Sequence, residues 1–324
     1  MTRFLLRRLG LMLLLLFGVS VLVFFLFALM PGDYFSSNRQ LTPQRLAELR
    51  ALYGLDQPVI VRYVIWLGHA LQGDFGYSLV YNRPVTEVIA PLIKNSFLVA
   101  FAAFALTWVI AVVTGVLAAT RQYSLFDRIV TILLFASLSI PSFFLGLLMI
   151  KVFAVDLQWL PTGGMLDTAS SSTGIERMGE IARHMVMPVA ILTFLGAGSL
   201  TRYFRSGMLE QLRSDFVRTA RAKGLSERAV VFSHALRNAL LPAITLLAFE
   251  LPGLFSGAII TEQIFNWPGV GRIQLESVQT RDYEVLMTIT LLLAALTIVG
   301  SFLADILYAV ADPRVRLVDQ VRGA

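Results

Sequence analysis

The chain is 324 residues long, 56% of them hydrophobic and only 15% charged, with a net charge of +6 and no cysteine. An ordinary soluble domain carries about 25% charged residues, and here the charges are bunched between long empty stretches. A soluble enzyme, a disordered chain and a disulfide-stapled secreted domain are therefore excluded, and the placement of the positive charge must decide whether nucleic acid is a partner.

A helix needs about 20 apolar residues to cross roughly 30 Å of hydrocarbon. The first such run lies between Arg8 and Asp33. It is too long for the apolar core of a cleaved signal peptide, and no small-x-small cleavage site follows, so it is expected to stay in the membrane. The loop from Pro31 to Lys94 follows. Thr42-Pro43 predicts a helix start, with Thr42 as N-cap and Pro43 at the first helical position, and Gly54 predicts its stop. A second amphipathic stretch runs from Val59 to Leu71, before the turn-rich residues 72–78. This loop reads either as a cap on the membrane surface or as a docking face for an external partner.

Further apolar runs lie between Lys94 and Arg121, between Arg128 and Lys151, and from His184 to Thr201. The polar stretch from Arg202 to Arg237 comes next, with eight basic and three acidic residues. Ser214-Asp215 predicts the cap of a short helix ending at Lys223-Gly224, and Ser226-Glu227 predicts the cap of a second one. A fifth run, Asn238 to Thr261, contains Glu250 about midway along it, with Pro242, Pro252, Gly253 and Gly257 nearby. A carboxylate at that depth faces a partner helix or a pathway, and the pattern leaves both open. A sixth run lies between Glu284 and Asp305.

Six crossings put both termini on one side. With the N-terminus in the cytoplasm, sixteen of the 27 Lys/Arg residues fall on inner segments. Outside the long 31–94 loop only five face outward, and such a bias sets N-in, C-in topology. The expected fold is all-α with six transmembrane helices. The expected division is 1–30 (N-terminus and first helix), 31–94 (outer cap loop), 95–310 (five-helix core with the inner loop 202–237) and 311–324 (inner tail). The excess positive charge thus belongs to the cytoplasmic face. A DNA-reading helix-turn-helix is excluded, since the elbow is tethered between two spans.

No bond-breaking chemistry is visible. The three lysines (Lys94, Lys151, Lys223) lie in no phosphate-binding loop, and the three histidines (His69, His184, His234) fall in separate segments without an H-E-x-x-H pair. There is no G-x-S-x-G elbow. His184-Met185-Val186-Met187 offers soft ligands, but one His with two Met at a helix start reads as packing. No catalytic residue, metal or cofactor is expected.

Arg218-Thr219-Ala220-Arg221-Ala222-Lys223-Gly224-Leu225-Ser226, followed by His234 to Pro242, resembles the EAA loop of binding-protein-dependent ABC importer permeases in its dipeptide/oligopeptide variant. The general pattern opens Glu-Ala-Ala and reaches Gly four residues after the second Ala. Here Arg218 and Thr219 replace the first two, Ala220 and Gly224 match, and Leu241-Pro242 comes later than the usual ending. Met30-Pro31-Gly32-Asp33, Tyr53-Gly54-Leu55-Asp56-Gln57-Pro58, Gly73-Asp74-Phe75-Gly76-Tyr77-Ser78, Phe265 to Arg272 and Asp312-Pro313-Arg314 are similar to the first permease of such systems.

The resemblance implies a type I ABC importer permease fold in a bacterial or archaeal inner membrane. It also implies a second, homologous permease, two cytoplasmic ATPase subunits that supply ATP hydrolysis in trans, and an external solute-binding protein that delivers peptide. Residues Arg218 to Ser226 would carry coupling to the ATPases, with Glu250 a candidate for the pathway. Within this class nickel, glutathione or an oligosaccharide are alternative solutes. A secondary transporter or channel would want more intramembrane ionisable groups, and an intramembrane protease a paired nucleophile and base.

Overall fold

Local chemistry explains where most of the helices begin and end. The first, α1 (Thr2–Ala28), is apolar throughout. In α2 (Pro43–Leu52) the Thr42 side chain accepts from the Arg45 amide, and Gly54 follows in the left-handed region at φ +65°, both as predicted. α3 (Val59–Ala70) lies alongside the C-terminal half of α1. Their contact is an aromatic group of Phe24, Phe25, Tyr63 and Trp66, with a hydrogen bond between the Ser20 and Tyr63 hydroxyls (2.9 Å). The opposite side of α3 leaves Ile60, Val61, Val64 and Ile65 exposed.

The structure is a computed structural model that describes residues 2–37, 42–167, 170–250 and 258–311. It adds one small departure from an all-helical chain. Residues Tyr77–Ser78 (β1) pair antiparallel with Arg83–Pro84 (β2), Tyr77 opposite Pro84 and Ser78 opposite Arg83. Next, α4 (Val85–Thr120) starts well before Lys94, which therefore lies within the helix.

The third predicted span is not one straight helix. It is α5 (Leu125–Ser139) followed by α6 (Ser142–Met149), which continues as π-helix through Ile150–Asp156, and the two are bent by 106°. The cause is Pro141. It offers no amide hydrogen, and it forces Ile140 into extended backbone at ψ 123°. The fourth span, predicted as 184–201, is the middle of the 39-residue helix α7 (Gly174–Leu212).

After α7 come α8 (Asp215–Ala222), a single turn α9 (Glu227–Ala229), a π-helical stretch Val230–Ala235 and α10 (Leu236–Glu250). The chain then forms α11 (Ile259–Ile264), α12 (Val270–Thr280) and α13 (Tyr283–Ala311). Among the described residues, four helices are long and apolar enough to cross a membrane, or five with the bent pair taken as one span. Residues 251–257 of the fifth predicted run lie outside the described residues, as does Asp312-Pro313-Arg314.

The bundle is organised around α4 and α7, which pack along much of their length. Small residues make the approach possible, as expected where lipid supplies no hydrophobic drive between helices. A Cβ at Gly115 would meet the Phe204 side chain and the backbone of Thr201 and Arg205, and one at Gly196 would press on Thr107. Hydroxyls bridge the same seam, with Thr114 and Thr201 3.0 Å apart. α1 flanks α13, and α10 packs on both α13 and α7.

Candidate functional site

The loop between α7 and α10 forms a compact elbow. Only α8 stands free, because the second predicted helix, at Ser226-Glu227, runs through the π-helical stretch directly into α10. Ser226 caps it, accepting from the Ala229 amide. Ser214 sits at the N-cap of α8 in extended backbone, but its hydroxyl donates to the Gln211 carbonyl and makes no side-chain cap.

The corner at Gly224 is closed by two backbone bonds. The Leu225 amide donates to the Ala220 carbonyl (3.3 Å) and the Gly224 amide to the Arg221 carbonyl (2.9 Å). This is a Schellman ending, and it needs Gly224 at φ +77°. Arg221 braces the corner from outside with a forked pair to Glu227 (2.8 and 3.2 Å). That hydrogen bond holds the Glu227 carboxyl below its ordinary value and raises the Arg221 guanidinium above its own.

The elbow has two faces. Val217 (0% exposed) and Ala220 (4%) point inward and join Val116, Ala119, Met208, Val230, Ala235 and Ala239 in one cluster. That cluster ties α8 to α4, α7 and α10. Outward lie Arg218, Thr219, Arg221, Ala222, Lys223, Gly224, Leu225 and Ser226, all exposed. Of the nine elbow residues singled out by sequence, eight therefore share a surface, and Ala220 instead packs within the chain.

Sequence reading missed Phe216, which is 40% exposed beside the inward-facing Val217. Its signal was available: α8 turns Val217 and Ala220, three apart, to one side and leaves Phe216 off that stripe.

A second feature anchors the elbow. Asp127, buried at the start of α5, accepts a bidentate pair from Arg205 on α7 (2.7 and 2.9 Å) and the Tyr123 amide (2.9 Å). The short α4–α5 turn is thereby pinned to the last turns of α7.

Glu250 is the last described residue of α10 and is exposed. Its carboxylate accepts from the Trp108 indole N–H on α4 (2.8 Å), and Trp108 in turn meets Phe204 edge-on. Pro242 lies within α10, while Pro252, Gly253 and Gly257 fall outside the described residues.

At the opposite end of the bundle the remaining motifs act as locks. Asp33 accepts from the Ser36 amide and from Arg50 Nε, each at 2.7 Å. Burial pushes its carboxyl up, but these bonds outweigh burial and leave it below the ordinary range. Ser78 donates to buried Asp282, whose carboxyl burial pushes up. Glu262, 3% exposed, accepts from Ser96 Oγ (2.6 Å) and the Arg272 amide (3.1 Å). Gly269 is obligatory there, because a Cβ would collide with that carboxylate and with Ser96. Trp267 is buried with its indole N–H on the Asn95 carbonyl (3.0 Å). Met187 is 2% exposed in the same region, in a packing role.

Comparison with known proteins agrees with this architecture. The pattern described as "Binding-protein-dependent transport system inner membrane component" matches residues 111–317. A second, for the N-terminal part of such membrane components, matches residues 1–97. The chain is 39% identical to the oligopeptide transport system permease protein of Bacillus subtilis (strain 168), covering 97% of this chain and 99% of that protein. It is 38% identical to the di/tripeptide transport system permease protein of Pseudomonas aeruginosa (strain UCBPP-PA14), covering 98% and 99%. With the dipeptide transport system permease protein of Escherichia coli (strain K12) the identity is 34%, again over 98% and 99%. The chain belongs to the family of inner-membrane components of binding-protein-dependent transport systems.

Proposed function

We propose that this protein is the permease subunit of an ATP-driven peptide importer in a bacterial inner membrane. In this reading it forms half of the translocation pathway beside a second, homologous permease. Two cytoplasmic ATPases supply the hydrolysis, and an external binding protein supplies the peptide. The observation that carries the reading is near-full-length identity to peptide permeases together with an exposed, internally braced elbow. Six crossings are assigned: α1, α4, the bent α5–α6 pair, α7, the segment that begins with α10, and α13, with both termini cytoplasmic.

The elbow is the coupling element. Arg218, Thr219, Arg221, Ala222, Lys223, Gly224, Leu225 and Ser226, with Phe216, form the surface offered to an ATPase groove. Ala220 acts from behind, holding that surface to the bundle. Because α8 shares one packed cluster with α4, α7 and α10, a displacement of the elbow moves those helices together and does not bend a loop. Close-packed interiors transmit strain in this way. Glu250, exposed and held by Trp108, is assigned to the pathway wall.

The decisive experiment is to co-purify the assembly and measure which solute, with its binding protein, stimulates ATP hydrolysis. Stimulation by di- or oligopeptides is expected. Stimulation by nickel, glutathione or an oligosaccharide instead would overturn the peptide assignment and leave the importer class standing. Failure to recover ATPase subunits at all would overturn the class.

A further inference from the structure

The loop after α6 and the first turns of α7 converge at the end of α7 opposite the elbow. His184 is buried, its side chain 2% exposed. Its Nδ1 lies 3.2 Å from both the Gly163 and Gly164 carbonyl oxygens. Carbonyls only accept, so Nδ1 carries a hydrogen. Nε2 faces Asp167 Oδ1 at 3.5 Å, an ion pair when the ring is protonated and two facing lone pairs when it is neutral. Glu180 lies one helical turn before His184 on the same face of α7, and it receives the Asp167 amide on Oε1 (2.6 Å). The hydroxyls of Ser170 and Ser172 both donate to its Oε2. One ligand atom from each of Asp167, Glu180 and His184 lies within 4.8 Å of the others.

With the ring neutral, lone pairs facing one another across such a gap repel unless a cation lies between them. We propose that Asp167, Glu180 and His184 bind a first-row divalent cation of the Zn2+ type, with water in the fourth position. The dimensions suit it. Zn–N and Zn–O bonds of about 2.0–2.2 Å place adjacent tetrahedral ligands about 3.4 Å apart, and Nε2 and Oδ1 already stand at 3.5 Å. A Glu180 oxygen lies within 4.8 Å of both.

The surroundings fit a metal centre as well. The Nδ1–H donating to backbone carbonyls fixes ring tautomer and orientation, and the serine and amide donors on Glu180 fix its carboxylate. Asp167 is 68% exposed, which opens the site to solvent. The ion would staple the loop carrying Gly163, Gly164 and Asp167 to α7. The same loop also holds the Phe265 carbonyl through the Gly164 amide (2.7 Å). In the orientation proposed above, this is the external end of the bundle.

The test is calorimetric titration of ZnCl2 into the chelator-washed full assembly, purified through a tag without histidine. Wild type is compared with Asp167→Asn and His184→Gln. One Zn2+ per copy of this chain is expected in wild type, with affinity at least about 10-fold weaker in both variants. Ca2+ at the same concentration should not replace it, since an imidazole ligand favours the transition ion. Asp167→Asn lies on an exposed side chain, so it decides the matter even if His184→Gln fails to fold. Equal Zn2+ binding in wild type and Asp167→Asn would overturn the proposal. So would the absence of any Zn2+ effect alongside a melting temperature that steps with pH in wild type only, which would place a proton in the gap.

Discussion

Gly224 can be tested with a pair of substitutions that separate backbone from charge. No atom lies within 4 Å of where its Cβ would sit, so the position demands left-handed backbone and not empty space. Asn and Asp are the side chains that visit this conformation most readily, and each should cost about 1 kcal/mol here. The corner is held by two backbone hydrogen bonds, about 1 kcal/mol each, with the exposed Arg221–Glu227 pair beside them.

A corner whose backbone bonds supply about 2 kcal/mol loses about half of that and stays mostly formed. Gly224→Asn should therefore keep most of the peptide-stimulated ATP hydrolysis. Gly224→Asp has the same shape but adds a carboxylate to a basic surface whose partner groove is expected to be acidic. Repulsion of about 1–2 kcal/mol at a partly screened contact corresponds to roughly 10-fold weaker coupling, with assembly unchanged. The assay is substrate-stimulated ATPase activity of the reconstituted assembly, normalised to the subunits recovered. Equal loss in both variants would show that bulk, not charge, is excluded. Full activity and transport in both would remove the elbow from the interface.

Asp127→Asn should lower the melting temperature of the solubilised protein, because it leaves the Arg205 guanidinium unpaired beside a buried site. Breaking a fully buried pair costs about 3–5 kcal/mol, and with Arg205 26% exposed roughly half of that is expected. Replacing both residues with apolar ones should recover much of the loss. Gly269→Ala should destabilise the chain far more than Gly73→Ala. The first drives a methyl into the Glu262 carboxylate and Ser96, while the second meets open space at φ +85° and costs about 1–2 kcal/mol; thermal unfolding compares them.

The Arg221–Glu227 brace has a defined pH window. The folded-state value of Glu227 is depressed, so its contribution is complete above the unfolded value of about 4.3 and fades as pH falls through the folded value. The difference between wild type and Glu227→Gln in hydrogen exchange of the Gly224 and Leu225 amides, corrected for the intrinsic rates, should be constant from pH 5 to 8 and shrink below about pH 4.

The features that could be read directly are those written in a few consecutive residues. Thr42-Pro43 starts α2 and Gly54 stops it; Gly224 ends α8; Ser226 caps the next turn. Long charge-free runs marked the spans, because transfer into hydrocarbon depends on composition and hardly on what lies beside the helix. Eight basic residues between Arg202 and Arg237 marked the elbow as a polar interruption between apolar runs. The bend at Pro141 was also written locally, but hydropathy counts a proline as one more uncharged residue and passes over its geometry.

Helix length and helix facing were settled elsewhere. Hydropathy reports contact with lipid, so it closed the fourth span at Thr201, although α7 continues to Leu212. Whether Ala220 looks outward or inward depends on Val116, Met208 and Ala239, which come from three other helices. Glu262 reads as an ordinary acid until Ser96, 166 residues away, donates to it. Glu180 and His184 stand one helical turn apart on α7, and Asp167 joins them only when the loop after α6 folds back on that helix. Periodicity and composition act over one helical turn or one membrane crossing. A site is made of contacts between crossings, and these exist only once the bundle has packed.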